Sequence, residues 1–181
     1  MKQLFLALVT LGLVFCANAA EIDASASQFK WTGKKVTGQH YGTLPVKSSD
    51  LLVKGGKIVG GTIVLDISKM TVDDLSGDYA KKFLTHMMSE DFFEVKKWPT
   101  AKLVIEKVQG NKAIGKLTVK DKTNPVEFTY SQSKGMYSGT LKFDRTNFGM
   151  IYGSGDFFKG LGDKMIYNDV TLDFKVKVKG V

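Results

Sequence analysis

Cysteine is all but missing from this 181-residue chain. The only one, Cys16, lies in the apolar stretch at the N-terminus, so the rest of the sequence has neither a disulfide nor a thiol nucleophile. Histidine is nearly as scarce: His40 and His86 are too far apart for H-x-x-x-H spacing, and without cysteines beside them they form no zinc-ligand set. No serine stands in a G-x-S-x-G elbow. Gly153-Ser154-Gly155 starts like a dinucleotide loop, but Phe158 stands where the third glycine belongs, and no strand-loop-helix pattern surrounds it. The sequence therefore nominates no reaction, and we expect a protein that is not an enzyme and holds no metal.

Long apolar runs are also missing after the first twenty residues. Residues 4–15 are almost unbroken in apolar character, follow Lys2 and lead to Ala17-Asn18-Ala19, an A-x-A cleavage pattern. Such a run is too short to span a bilayer. We expect residues 1–19 to be a cleaved signal peptide and residues 20–181 to be one domain, exported to the periplasm and soluble there. Lipid attachment at Cys16 is the rival reading; Phe15 speaks against it, because a small residue belongs at that position.

The formal net charge is +8, with 26 Lys and Arg against 18 Asp and Glu. A lysine-rich solvated exterior accounts for this excess, and transient contact with a membrane surface is compatible with it. Export argues against a nucleic-acid partner.

What is present is alternation. Phe29 and Trp31 share a face; so do Val59, Ile63, Leu65 and Ile67; Ala101, Leu103 and Ile105; Ala113, Leu117 and Val119; Val126, Phe128 and Tyr130; and Tyr137, Leu141 and Phe143. The last run is the longest, with Ile166, Val170, Leu172, Phe174, Val176 and Val178 on one side. Tight turns at residues 54–57, 109–112 and 133–135 separate several of these runs and imply antiparallel hairpins. A meander of about eight such strands removes its edges by closing into a barrel. The exception is residues 78–90, where Ala80, Phe83, Leu84, Met87 and Met88 recur at helical spacing after a cap at Ser76 or Asp78. The expected fold is all-β, an eight-stranded antiparallel lipocalin-like barrel with one amphipathic helix covering an end.

Aromatic and sulfur side chains gather at 83–98 and at 143–158, one cluster within and after the helix and one in a Gly-rich loop. Two readings fit. They fill the barrel, or they line a pocket for a flexible apolar chain, each buried CH₂ contributing roughly 0.8 kcal/mol. His40 reads as a hydrogen-bonded strand residue, His86 as a structural residue at the helix edge or a headgroup contact. Arg145, beside Asp144, either fixes a turn or meets an anionic headgroup.

The stretch His86-Met87-Met88-Ser89-Glu90-Asp91-Phe92-Phe93-Glu94-Val95-Lys96-Lys97-Trp98-Pro99-Thr100-Ala101 resembles the H-L-x-S-x-D-F-F-D-V-x-x-Y-P-T-A hallmark of the YceI-like family. Leu117-Thr118-Val119-Lys120, Asn124-Pro125-Val126, Asp144-Arg145-Thr146, Phe148-Gly149 and Gly153-Ser154-Gly155 extend the resemblance along the chain. Departures are Trp98 for tyrosine, Met87 for leucine, and Asp121-Lys122 for a glycine-containing turn.

The resemblance implies a lipocalin-like barrel whose tunnel holds polyisoprenoids or similar amphiphiles, isoprenoid quinones among them, with no other cofactor. On that basis a lipid tail is expected to pass Phe29, Trp31, Phe83, Met87, Phe92, Phe93, Tyr130 and Phe143, with its headgroup near His86 or Arg145. The rival is a filled barrel that docks an envelope partner through its basic surface. Monomer and homodimer are both left open.

Overall fold

The computed structural model describes residues 17–181; most of the leader expected over 1–19 lies outside the described residues. The strands are β1 (Asn18–Ala20), β2 (Gln28–Lys35), β3 (Gly38–Thr43), β4 (Val46–Lys54), β5 (Lys57–Asp66), β6 (Thr100–Gln109), β7 (Lys112–Val119), β8 (Lys122–Ser133), β9 (Met136–Asp144) and β10 (Ile166–Lys177). One helix, α1 (Gly77–Met87), interrupts them. The strands form one antiparallel sheet in the order β1-β4-β5-β6-β7-β8-β9-β10-β2-β3, curled into a lipocalin-like shell.

The all-β class holds, but the sheet has ten strands rather than the eight expected. β1 has only three residues, and β4 turns buried apolar side chains inward only at Leu51 and Val53, so neither carries an alternation that can be read. The expected face of β5 is also corrected. A bulge pairs Leu52 with Gly60 and Val53 with Ile58, so Val59 faces solvent and Ile58 takes its place inside. Ile67 is buried as expected, but in a short 3₁₀ turn capped by Asp66 rather than in the strand.

Neither sheet edge is left bare. The chain at residues 71–74 runs along β3: the Thr71 and Asp73 amides donate to the Thr43 and Tyr41 carbonyls, and Asp74 accepts from the Tyr41 amide at 3.0 Å. Gly42 makes this strap possible, since a Cβ there would sit 2.1 Å from the Thr71 carbonyl oxygen. At the other edge β1 pairs with β4, and Ile22, two residues on, bridges to Val178 beyond β10. The N-terminal segment thus links the β4 margin to the end of β10, across the gap of a sheet curled into a half-barrel.

α1 starts and ends slightly earlier than the expected 78–90, because the chain after Met88 folds into tight turns in which the Phe93, Val95 and Glu94 amides return to Met87, Met88 and Ser89. Ser76 occupies the cap position, but its side chain makes no capping bond. Ala80, Phe83, Leu84 and Met87 pack on the barrel core, as the helical spacing predicts.

Candidate functional site: an apolar chamber under the helix

Strand register stacks the inward side chains in layers. Val170 pairs with Gly33 and Phe143; below it Leu172 pairs with Trp31 and Leu141; below that Phe174 pairs with Phe29 and Gly139, and Gly139 with Tyr130. Above the Trp31 layer the interior is hollow. This upper chamber has a volume of about 140 Å³ open to the centres of water-sized groups, with walls from β2, β5, β6, β7, β9 and β10 and a roof from Phe83, Met87, Phe92 and Phe93. At roughly 30 Å³ per such group, it holds about five.

The roof is tied to the wall. Trp31 stacks on Phe83 with ring centroids 6.0 Å apart, and its indole N–H donates to the Thr71 carbonyl at 3.0 Å. His40 also touches the Phe83 ring, centroids 4.8 Å apart, and binds Asp74 through Nδ1 at 2.7 Å. Burial pushes the Asp74 carboxyl up, but its bonds to the Tyr41 amide and to His40 outweigh this and hold it below its ordinary value. Of the wall residues only Lys34 and Tyr167 are exposed, so the chamber comes nearest solvent on the side they share with Lys35 and Ile166.

A second chamber of about 50 Å³ lies below, lined by Phe29, Phe128, Tyr130, Tyr137 and Phe174 among others. Phe174 lines this lower chamber, in the layer next below the Trp31 and Leu172 that line the upper one. Its ring occupies the space that Gly139 leaves empty, 2.8 Å from where a Cβ would be, and meets Phe128 edge to face with centroids 5.5 Å apart. At the base, the Tyr137 hydroxyl accepts from the Ile58 amide at 3.2 Å and donates to the Gly56 carbonyl.

Of the residues nominated from sequence, Trp31, Phe83, Met87, Phe92, Phe93, Phe143 and Arg145 line the upper chamber, while Phe29 and Tyr130 line the lower. His86 lines neither; its Nε2 meets Asp91 at 2.9 Å, and its ring packs edge-on against Phe92 and Tyr152.

Arg145 is 3 % exposed and its donors are directed at backbone: Nε at Tyr167 (3.1 Å), one terminal nitrogen at Ile166 (3.0 Å) and the other at Met150. Burial lowers its pKa, with Asp144 partly opposing. The guanidinium holds the irregular start of β10, where the pairing with β2 shifts register between Ile166 and Val170. The residues nominated for the ligand left out His40, Met150, Ile166 and Tyr167, all of which are wall residues. Each but Tyr167 carried a signal: His40 as a histidine on an early strand, Met150 within the 143–158 cluster, and Ile166 on the apolar side of the last run.

Among the described residues, no three His, Cys, Asp or Glu side chains converge on a common point, and no helix is long and apolar enough to cross a membrane. An antiparallel lipocalin-like shell with an oily interior chamber under a helical lid defines a binding fold for apolar small molecules. The YceI-like domain profile matches residues 21–178, and the chain belongs to the YceI-like family. No curated protein matches it. Among solved structures, BcnA of Burkholderia cenocepacia is 22% identical, with a TM-score of 0.61 over 87% of this chain and 98% of that one. A polyisoprenoid binding domain from Saccharophagus degradans, implicated in plant cell wall breakdown, is 12% identical, with a TM-score of 0.58 over 87% of this chain and 95% of that one. Both likenesses show the fold.

Proposed function

We propose that this protein binds the hydrocarbon tail of a long-chain amphiphilic lipid, a polyisoprenoid or an isoprenoid quinone, and carries it in the periplasm without chemically changing it. The observation that carries this reading is the upper chamber, roofed by Phe83, Met87, Phe92 and Phe93 and walled almost entirely by apolar side chains. About five CH₂-sized groups at roughly 0.8 kcal/mol each give a gross gain of about 4 kcal/mol before ordering costs, and each further methylene buried along the exit adds to it. A longer tail either leaves through the side marked by Lys34, Lys35 and Tyr167 or displaces Phe174 to enter the lower chamber. With Arg145 engaged by three carbonyls and His86 by Asp91, the headgroup is best accommodated at the solvent side, near His40 and the two lysines.

The test is mass spectrometry of an organic extract of the freshly purified protein, followed by titration with fluorescent prenyl and acyl probes. A co-purifying prenyl or acyl lipid, and probe uptake abolished by Phe93→Glu in protein that still melts cooperatively, are the expected results. An empty extract together with no probe uptake overturns the proposal. Phe93→Leu keeps the wall apolar and is expected to retain uptake.

A further inference from the structure

Among the described residues, ten large apolar or aromatic side chains are substantially exposed, and five of them, Ile151, Tyr152, Phe157, Phe158 and Tyr167, fall within residues 151–167. A sixth, Val36, is held to the same loop by the hydrogen bond its backbone N–H donates to the Met165 carbonyl at 3.1 Å. Scattered exposed apolar residues are ordinary; a cluster rimmed by charge marks an interaction surface.

The loop is built rather than loose. Ser154 is fully buried; its hydroxyl donates to Asn168 Oδ1 at 2.8 Å and accepts from the Asp156 amide at 3.3 Å, and Asn168 Nδ2 donates to Asp156 Oδ2 at 2.6 Å. The Phe157 and Phe158 amides both return to the Ser154 carbonyl, at 3.2 and 3.0 Å. This knot holds Phe157 and Phe158 outward, 55% and 44% exposed, so little order remains to be imposed when they dock.

Charge indicates the occupant. Lys159 and Lys164 lie in the loop, while Lys34 and Lys35 end β2 on the open side of the upper chamber; none of the four forms an ion pair among the described residues. The loop's acidic residues are two, Asp156 and Asp163, and Asp156 is engaged by Asn168. Aromatic side chains beside unpaired lysines suit the interfacial layer of an anionic bilayer, where rings enter the headgroup region and ammonium groups meet phosphates.

We propose that residues 151–167, with Val36, Lys34 and Lys35, form a docking surface for an anionic phospholipid bilayer that sets the open side of the chamber against the membrane. The proposed lipid carriage supplies the reason for such docking, so the inference rests on that reading, but the surface is tested separately from it. The full-length processed protein is floated with vesicles of phosphatidylethanolamine and phosphatidylglycerol, and with phosphatidylcholine vesicles, at low and high NaCl. The expected result is flotation with the anionic vesicles alone, weakened by salt and reduced about tenfold or more by Phe157→Asp with Phe158→Asp and by Lys159→Glu with Lys164→Glu.

Uptake of a prenyl probe from detergent is expected to stay unchanged in both variants, because none of the four residues lines a chamber. No flotation, or flotation indifferent to both variants, overturns the docking surface even where probe uptake is intact. Loss of probe uptake in the unaltered protein, with flotation retained, defeats the carrier reading and leaves the surface standing. A dimer that the Phe157 and Phe158 substitutions convert to monomer, without vesicle binding, reassigns the patch to self-association and also overturns the proposal.

Discussion

The Trp31 indole and the Phe83 ring lie nearly parallel, 6° apart in plane with centroids separated by 6.0 Å, and they join the barrel wall to the underside of the helix. Because Trp31 is buried on β2 and Phe83 belongs to α1, this stack couples lid position to the chamber beneath it.

Phe83→Ala removes the lid's half of the stack. Phe83 is only partly buried, so the expected cost is about 2 kcal/mol, below that of a fully buried ring. Urea unfolding checks the loss, and a bound prenyl probe is expected to leave faster. Unchanged release alongside the stability loss assigns Phe83 to packing alone.

Gly42→Ala places a methyl group 2.1 Å from the Thr71 carbonyl oxygen, so the strap over β3 has to move. The expected cost is about 2 kcal/mol, and the Trp31 indole loses its acceptor. Trp31 emission, read in a Trp98→Phe background, is expected to shift, whereas Gly33→Ala, with open space around its Cβ, serves as the tolerated control.

Phe174→Ala enlarges the lower chamber toward the Trp31 and Leu172 layer above it. A stability loss of about 3 kcal/mol is expected from the lost ring, together with a shift of probe preference toward chains longer by about two carbons, set by the roughly 50 Å³ available below. Competition among prenyl alcohols of graded length reads the shift; a preference identical to the parent protein means the tail never reaches this layer.

Arg145→Met leaves the carbonyls of Met150, Ile166 and Tyr167 without their donor. Removing the donor to one buried and two part-buried carbonyls is expected to cost about 3 kcal/mol. Arg145→Lys is expected to recover little of it, since one ammonium group does not reproduce the planar fork. Thermal melts of both variants decide this.

Acid is expected to loosen the strap. Asp74 is held below its ordinary 3.8 in the folded state, so its contribution is fully present above that value and disappears as pH falls through the lowered folded value. Asp66, depressed by its bond from Ser68, adds to the same acid limb. Asp74→Asn is expected to lower stability at neutral pH and to flatten part of the slope below pH 4, measured by urea unfolding across pH.

Turns and alternation were legible because they are local properties. The Lys54–Lys57 turn joins β4 to β5 where Gly55 and Gly56 stand, and Ala113, Leu117 and Val119 face inward together because they share parity on β7. Val59 was misread because one extra residue in a bulge reverses parity, which pairing with β4 decides and β5 alone does not. The helix was legible through its spacing, but the fate of His86 was not, since Asp91 reaches it only after the chain turns back beyond Met88.

By itself, then, the amino-acid sequence determined an all-β shell with one amphipathic helix and the set of aromatic residues available to its interior, because periodicity and turn chemistry act over a few neighbouring residues. Tertiary structure alone decided that Phe174 stands opposite Gly139 and fills the space it leaves, that three backbone carbonyls claim Arg145, and that the rings of residues 151–167 face outward. Those outcomes depend on strand register and on contacts between segments tens of residues apart, and short-range pattern carries no record of either.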